Sequence, residues 1–479
     1  MMVALPDDLA RILRDTPELQ RAYLVGGCVR DALLELPQKD FDIEVFGVSY
    51  EQLAKALASR GRTDLVGRSF GVVKLTVSTG AVYDFTIPRR DSKVSPGHKG
   101  FEITFDPNID PREAAARRDF TINAMMYDPR KNELLDFFGG AGDLRNKILR
   151  HTTEAFSEYP LRVLRGMQFA ARFSLTAAPE TIAVARSIRH THGELAVERV
   201  REEWFKWAAK SALPSAGLRF LVESGWIENY PELQAMIGTR QDAEWHPEGD
   251  VFIHTCHCCD ALVELPEWKD AEEESRIVLS LGVLTHDMGK PATTQVVERD
   301  GRQRVISPGH EEVGIAVAET FLSRINTPRH IVERIVPLVR NHMAHMHDVT
   351  DRSVRRLARK LAPETIEGLC VLMTADAYGR PPRPRRAPAM IGALRERAAA
   401  LHVQDRAPEA ILKGRHLLQL GMTPGPEFSL ILNAAYEAQL EGRFFTIDEA
   451  LAWLAAQRDL PLPESARAKA TQLKDNDAL

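Results

Sequence analysis

Cysteine is scarce in this sequence, and long apolar runs are absent. Its 479 residues include five cysteines, an odd number, three of them crowded at Cys256, Cys258 and Cys259. A disulfide scaffold is excluded for a chain of this size, and reduced thiols fit a cytosolic protein. No run approaches the roughly 20 apolar residues of a spanning helix, which excludes a membrane protein. The first residues, MMVALPDDLARILRD, lack an apolar segment followed by small cleavage residues, so no signal peptide is read and the expected location is cytoplasmic. There is no excess of positive charge either. With 62 Lys+Arg against 67 Asp+Glu the net charge is −5, which argues against indiscriminate coating of nucleic acid and leaves room for local basic surfaces.

What is present is length and a change of texture along it. At about 150 residues per domain the chain predicts about three domains, and the 44% of hydrophobic residues supply several cores. Residues 21–150 alternate short strand and helix patterns. The span Asp91–Arg117 is polar and rich in Asp-Pro and Pro-Gly steps, and it reads as a long mobile loop crossing the active face. From Tyr159 the periodicity is helical, with Leu161, Leu164, Phe169, Trp204, Phe205 and Trp207 as core candidates. A block from His246 to Arg380 carries most of the histidines. The run GRPPRPRRAP then reads as an extended linker, because prolines cannot join a helix and the arginines repel one another. Arg383, Arg385 and Arg386 are either solvated there or in contact with the phosphates of a ligand. A last helical module begins near Ile411.

One strand concentrates the chemistry. In DFDIEVF (40–46) side chains alternate, so Asp40, Asp42 and Glu44 share a face while Phe41, Ile43 and Val45 enter the core. Side-by-side carboxylates raise each other's pKa unless a cation binds, and Mg²⁺ favours carboxylate oxygens together with phosphates. An Asp-x-Asp alone is more often a solvated acidic face. Here Gly26-Gly27 ends the preceding strand and opens a helix, where backbone N–H groups can approach a triphosphate and Arg30 can pair with it.

These residues belong to a longer pattern. LVGGCVRDALLELPQKDFDIEVFG (24–47), ARRDFTINAMMYD (116–128) and FSEYPLRVLRGMQFAARF (156–173) resemble, in order, three motifs of the class II tRNA nucleotidyltransferases and bacterial poly(A) polymerases. The resemblance implies an α/β nucleotidyltransferase head, a small mixed sheet with helices, followed by all-α neck, HD and tail domains. It also implies two-metal nucleotidyl transfer, with Asp40 and Asp42 holding Mg²⁺ between a triphosphate and an RNA 3′-hydroxyl. Asp84 is either a third carboxylate of that site or a simple edge-strand residue. Arg118 would pair with phosphates and Asn123 would be a hydrogen-bonding support, while Arg117 is as readily an ion-pair neighbour as a direct contact.

The third motif departs from the family. There a Glu-Asp-x-x-Arg helix reads the incoming base. Cytosine and adenine both present an amino donor beside a ring acceptor, so one carboxylate and one arginine select both. Here the triplet is Glu158-Tyr159-Pro160; Arg162 and Arg165 are kept, and Gln168 stands where arginine is common. A tyrosine hydroxyl donates as well as accepts. Either Tyr159 packs at the helix start and Glu158 or a water accepts, or nucleotide choice is altered.

In the histidine block, IHTCHCCD, LTHDMGK, SPGHEEVG, VRNHMAH and TADAYGR resemble the HD-domain metal phosphohydrolases. That resemblance implies a first metal on His254, His286, Asp287 and Asp376, with His310 and His342 binding a second metal or the substrate phosphate. Imidazole with carboxylate suits divalent ions such as Mn²⁺, Ni²⁺ or Mg²⁺ better than a closed zinc site. The cysteines, on different faces of one helix, read as small buried hydrophobes.

The expected organisation is a head over 1–150, a neck with the nucleotide template and RNA-binding region over 151–235, an HD domain over 236–380, a basic Pro/Arg linker over 381–410 and a helical tail over 411–479. This order resembles the HD-containing bacterial tRNA nucleotidyltransferases, which add or repair the 3′-terminal CCA of tRNA from CTP and ATP. Poly(A) polymerase or A-addition is the alternative within transferases. From another class, the alternative is an HD phosphohydrolase, acting as a 2′,3′-cyclic phosphodiesterase or phosphatase, that the head recruits to RNA.

Overall fold

The computed structural model describes residues 3–38, 40–64, 71–93, 101–299, 301–346 and 348–473. They fall into two compact units, Met1–Gln234 with Arg324–Asn326, and Ala235–Ser323 with Thr327–Leu479. No helix among the described residues is long and apolar enough to cross a membrane.

The first unit is built on a seven-stranded sheet whose order across the sheet is Arg62–Asp64, Val72–Thr76, Val82–Thr86, Asp42–Val45, Ala22–Val25, Met126–Asp128 and Glu133–Leu135. The strands are β1 (Ala22–Val25), β2 (Asp42–Val45), β3 (Arg62–Asp64), β4 (Val72–Thr76), β5 (Val82–Thr86), β8 (Met126–Asp128) and β9 (Glu133–Leu135). β2 and β5 run parallel, with Asp42 opposite Asp84. The other pairs are antiparallel, and β4 sets Lys74 opposite Asp84. After β1 the chain turns at Gly26, whose φ of +71° suits glycine, and a Cβ there would lie 3.0 Å from the Arg118 guanidinium.

The span read as a single loop is not one. β6 (Arg89–Lys93) and β7 (Phe101–Phe105) form an antiparallel hairpin, and Pro111–Ala116 is a helix capped by Asp110, which accepts from the Arg112 N–H at 2.8 Å. The FEITF of β7 alternates as a strand does, a short signal masked by the prolines and glycines around it. Residues 94–100 of that predicted loop lie outside the described residues.

Beyond the sheet, the helix Leu161–Phe173 packs on Val197–Lys210 and Pro214–Glu223. The close crossing needs glycine: a Cβ on Gly217 would sit 2.5 Å from the Met167 carbonyl oxygen, and one on Gly166 would sit 2.9 Å from the Phe220 ring. Leu164, Phe169, Trp204 and Trp207 are buried as expected, whereas Leu161 and Phe205 are half-buried. Leu161 is spared from the core because it lines the cleft described below.

In the second unit two helices that carry residues of the histidine cluster begin at side-chain caps. Asp250 accepts from the Ile253 N–H at the start of Val251–Leu262, and Thr365 accepts from the Gly368 N–H at the start of Ile366–Tyr378. The helices Glu273–Thr285 and Arg329–Asn341 run up to His286 and His342, and His310 opens His310–Arg324. Within 381–410, residues Ala389–Ala400 form a helix. Of the arginines before it, Arg385 pairs with Glu264, and Arg383 lies over the Trp245 ring at 5.4 Å. The last helices close on a core that includes Leu417, Ile431, Leu451 and Leu454.

Candidate functional site

The first unit holds a cleft of about 800 Å³. Gly26, Gly27, Arg30, Asp40, Asp42, Arg118, Asn123, Glu158, Tyr159, Arg162 and Arg165 all line it. Asp84 stands just behind, beside Asp42 through the parallel β2–β5 register. Asp42 is exposed at the start of its strand. Desolvation by the surrounding protein raises its pKa, and the charges of Asp84 and Asp40 add to this while Arg118 opposes it. Carboxylates crowded in this way suit a divalent cation. Lys74 already supplies a positive charge, 2.9 Å from the Asp84 carboxylate. Glu44 differs from its strand mates, being buried and paired with Arg117 at 3.5 Å and Arg118 at 3.3 Å.

A buried polar chain supports the cleft. Arg30 donates to Asn123 at 2.6 Å, Asn123 donates to Asp119 at 2.9 Å, and Arg165 donates to Asp119 at 2.7 Å. Burial works against the Asp119 carboxylate, yet Arg165 and Asn123 hold its pKa below the usual value. Arg162 donates to the carbonyls of Ala155, at 2.6 Å, and Arg117, and its guanidinium lies 4.6 Å from the centre of the Tyr159 ring. The two departures from the family motif, Tyr159 and Gln168, share this cleft. Gln168 is buried, and among the described residues its amide nitrogen has no hydrogen-bond partner. Asp119 and Lys74 were not singled out from sequence; Asp119 had a signal in Arg-Arg-Asp followed four residues later by Asn123.

In the second unit, six predicted residues converge and all are buried. Asp287 divides its oxygens. Oδ2 is 3.2 Å from His286 Nε2 and 3.7 Å from His254 Nε2, and Oδ1 is 3.3 Å from His310 Nε2 and 3.8 Å from His342 Nε2. Asp376 lies 3.1 Å from His254 Nε2 and pairs with Arg380 at 2.7 Å, while Lys290 pairs with Asp287 at 2.7 Å. Burial alone would push Asp287 up, but His286 and Lys290 hold it well below the ordinary carboxylate range.

The imidazole orientations fit a metal centre. His286, His310 and His342 each direct Nδ1 at the carbonyl three residues earlier, at 2.7, 2.8 and 2.6 Å. Their Nε2 lone pairs therefore point inward, and those of His310 and His342 meet at 3.0 Å. Two acceptors at that distance need a proton or a cation between them. Donor atoms of Asp287, His310 and His342 lie within 4.8 Å of one another, as do those of His254, Cys258, His286 and Asp376. Cys256, Cys258 and Cys259 are buried as expected, and Cys258 Sγ sits 3.3 Å from His254 Nε2. Sequence reasoning missed Glu248, whose carboxylate is 2.7 Å from His254 Nδ1 and 2.9 Å from His246 Nδ1. Burial opposes that charge, but the two histidine hydrogen bonds bring its pKa down to about 2.

Comparisons with known proteins converge on one group. Residues 22–150 match the poly A polymerase head domain and residues 251–380 the HD domain. The multifunctional CCA protein of Mannheimia succiniciproducens is 34% identical over 374 residues, covering 75% of this chain and 84% of that protein. The one from Xanthomonas campestris pv. campestris is 35% identical, covering 75% and 85%. Among solved structures, the Bacillus stearothermophilus CCA-adding enzyme in complex with CTP aligns over 94% of this chain and 97% of its own, with a TM-score of 0.61 and 20% identity. The Thermotoga maritima CCA-adding enzyme complexed with tRNA aligns over 94% and 96%, with a TM-score of 0.57 and 17% identity. At those identities the likeness is one of fold.

Proposed function

This chain belongs to the family of CCA-adding tRNA nucleotidyltransferases, and on that premise we propose that it adds or repairs the 3′-terminal CCA of tRNA from CTP and ATP in the cytoplasm. The observation that carries the reading is that the glycine turn, Asp40, Asp42 and the Glu158–Arg165 stretch line one cleft, of a volume suited to a nucleotide.

Asp40 and Asp42 would hold the divalent metal, Mg²⁺ by its preference for carboxylate and phosphate oxygens, with Asp84, paired with Lys74, as the third carboxylate beside them; bound there, the metal would acidify the 3′-hydroxyl and neutralise the departing pyrophosphate. The N–H groups after Gly26 and the Arg118 guanidinium bind the triphosphate. Arg30 and Asn123, tied to each other and to Asp119, stiffen the turn that presents those groups. Arg162 keeps further N–H donors beyond the two given to carbonyls, and these meet the ring acceptor of cytosine or adenine. Arg165, braced by Asp119, flanks it. Tyr159 occupies the sequence position where the family has a carboxylate, and its hydroxyl, which donates as well as accepts, would loosen selection of the amino edge.

The second unit adds a metal-dependent phosphohydrolase site. His254, His286, Asp287 and Asp376 would hold one ion, and His310 and His342 would hold a second ion or the substrate phosphate, with Mn²⁺, Ni²⁺ or Mg²⁺ as the candidates. Bound metal there would polarise a phosphoester and activate water.

The test is to incubate the purified protein with tRNA ending at the discriminator base, with each nucleotide separately and all together, and to sequence the 3′ ends. Completion to CCA supports the reading. A run of A from ATP alone would replace it with poly(A) synthesis.

A further inference from the structure

We infer that Glu248 is a positioning residue for the metal ligand His254, steadied by His246. The inference rests on the reading that this cluster holds a divalent metal.

The four histidines differ in where they sit on their helices. His286 and His342 lie at helix C-terminal ends and His310 opens its helix, so each has an uncommitted carbonyl three residues earlier to receive its Nδ1–H. His254 lies inside Val251–Leu262, where nearby carbonyls serve the helix; its own N–H is bonded to the Asp250 carbonyl at 3.0 Å. Its ring must be oriented by a group from elsewhere. Glu248 Oε1 lies 2.7 Å from His254 Nδ1, with both side chains wholly buried. The Gly379 carbonyl, at 3.3 Å, flanks the same nitrogen. Carboxylates face both ring nitrogens, Glu248 at Nδ1 and Asp376 at Nε2; a cation taken up among Asp376, Asp287 and His254 would displace the Nε2 proton, while Glu248 keeps the proton on Nδ1. A carboxylate partner also makes the imidazole a better donor to a metal than a carbonyl does.

A buried carboxylate with one imidazole partner would be costly. His246 supplies a second partner, its Nδ1 2.9 Å from the same oxygen, and its ring meets the His254 ring edge-on at 4.6 Å between centres. The turn that delivers both residues is fixed by Asp250, which accepts from the Ile253 and Gly238 N–H groups, each at 2.8 Å. A rival arrangement, an ion held directly by His246, Glu248 and His254 Nδ1, would move the His254 proton to Nε2, against the Asp376 side.

Two measurements on the full-length protein decide. In the zinc-loaded, ¹⁵N-histidine-labelled wild type, long-range ¹H–¹⁵N spectra should show His254 protonated at Nδ1 and metal-bound at Nε2. A metal-bound Nδ1 would overturn the inference, and this reading needs no variant to fold. Calorimetric titration with Mn²⁺ should show Glu248→Gln binding about 10- to 100-fold more weakly than wild type, with Glu248→Asp recovering part of the loss. Unchanged affinity in a folded Glu248→Gln overturns the role of Glu248 alone. Failure of the wild type to bind metal at all would instead remove the metal centre, and this inference with it.

Discussion

Lys74 and Asp84 face each other across neighbouring antiparallel strands, with the ammonium 2.9 Å from the carboxylate. One of the three clustered carboxylates therefore carries its own counter-charge, while Asp40 and Asp42 are left to attract a cation. Asp40→Ala or Asp42→Ala should lower nucleotide incorporation by at least about a hundredfold while tRNA binding stays nearly intact, since metal-holding carboxylates contact little RNA. Primer extension and filter binding on the same preparations read both quantities. Wild-type turnover in either variant would remove the metal assignment.

The two sites should fail separately. Replacing His286 and Asp287 with alanine is expected to eliminate metal-dependent phosphatase and cyclic phosphodiesterase activity and to leave nucleotide addition as it was, because each site draws its ligands from its own unit. A proportional fall in nucleotide addition by a folded variant would contradict independent sites.

At Tyr159 the expectation concerns selectivity. A hydroxyl can turn to donate to O4 of uracil or O6 of guanine, whereas a carboxylate can only accept. One such hydrogen bond is worth about 1–3 kcal/mol, so Tyr159→Asp should sharpen preference for CTP and ATP over UTP and GTP by about ten- to a hundredfold. Arg162→Ala should weaken use of both correct nucleotides. Incorporation efficiencies for the four triphosphates on one tRNA give the answer. If wild type already rejects UTP and GTP as strictly as Tyr159→Asp, the acceptor lies elsewhere, with Glu158 the first candidate.

Asp119 predicts an acid-side dependence of stability. Its pKa in the folded protein is held below the ordinary carboxyl value, so its contribution is full above about pH 4 and fades as the pH falls through the depressed value. Asp119→Asn should cost about 1–3 kcal/mol at neutral pH, a figure reduced because Arg165 is 36% exposed, and should flatten the decline that sets in below about pH 4. Chemical denaturation at several pH values measures this; parallel curves for the two proteins would refute it.

Legibility in the sequence followed the physics of each element. The turn at Gly26 and the strand from Asp42 were readable because a glycine pair and a two-residue alternation are local signals. Glu44 shows the limit of that rule: it alternates with Asp42, yet Arg117 and Arg118, more than seventy residues away, draw it into a buried ion pair. The helix Ala389–Ala400 was hidden behind the Pro/Arg run, and the β6–β7 hairpin lay among prolines and glycines. The histidines were legible as a set, since four in one helical block with two aspartates is a rare coincidence. Glu248 was not, because one acid in a polar connector looks like any other until the fold buries it against His254.

The pairing of β2 with β5 also bears on how the protein comes into being. Asp42 and Asp84 become neighbours only when two parallel strands, with two others between them in sequence, have met. Such distant pairings form late, after the cost of closing the intervening chain has been met. A nascent chain emerging from the ribosome thus carries Asp42 as an ordinary acid. Nucleotide chemistry arrives with completion of the sheet, so unfinished chains have no means of extending the RNAs around them.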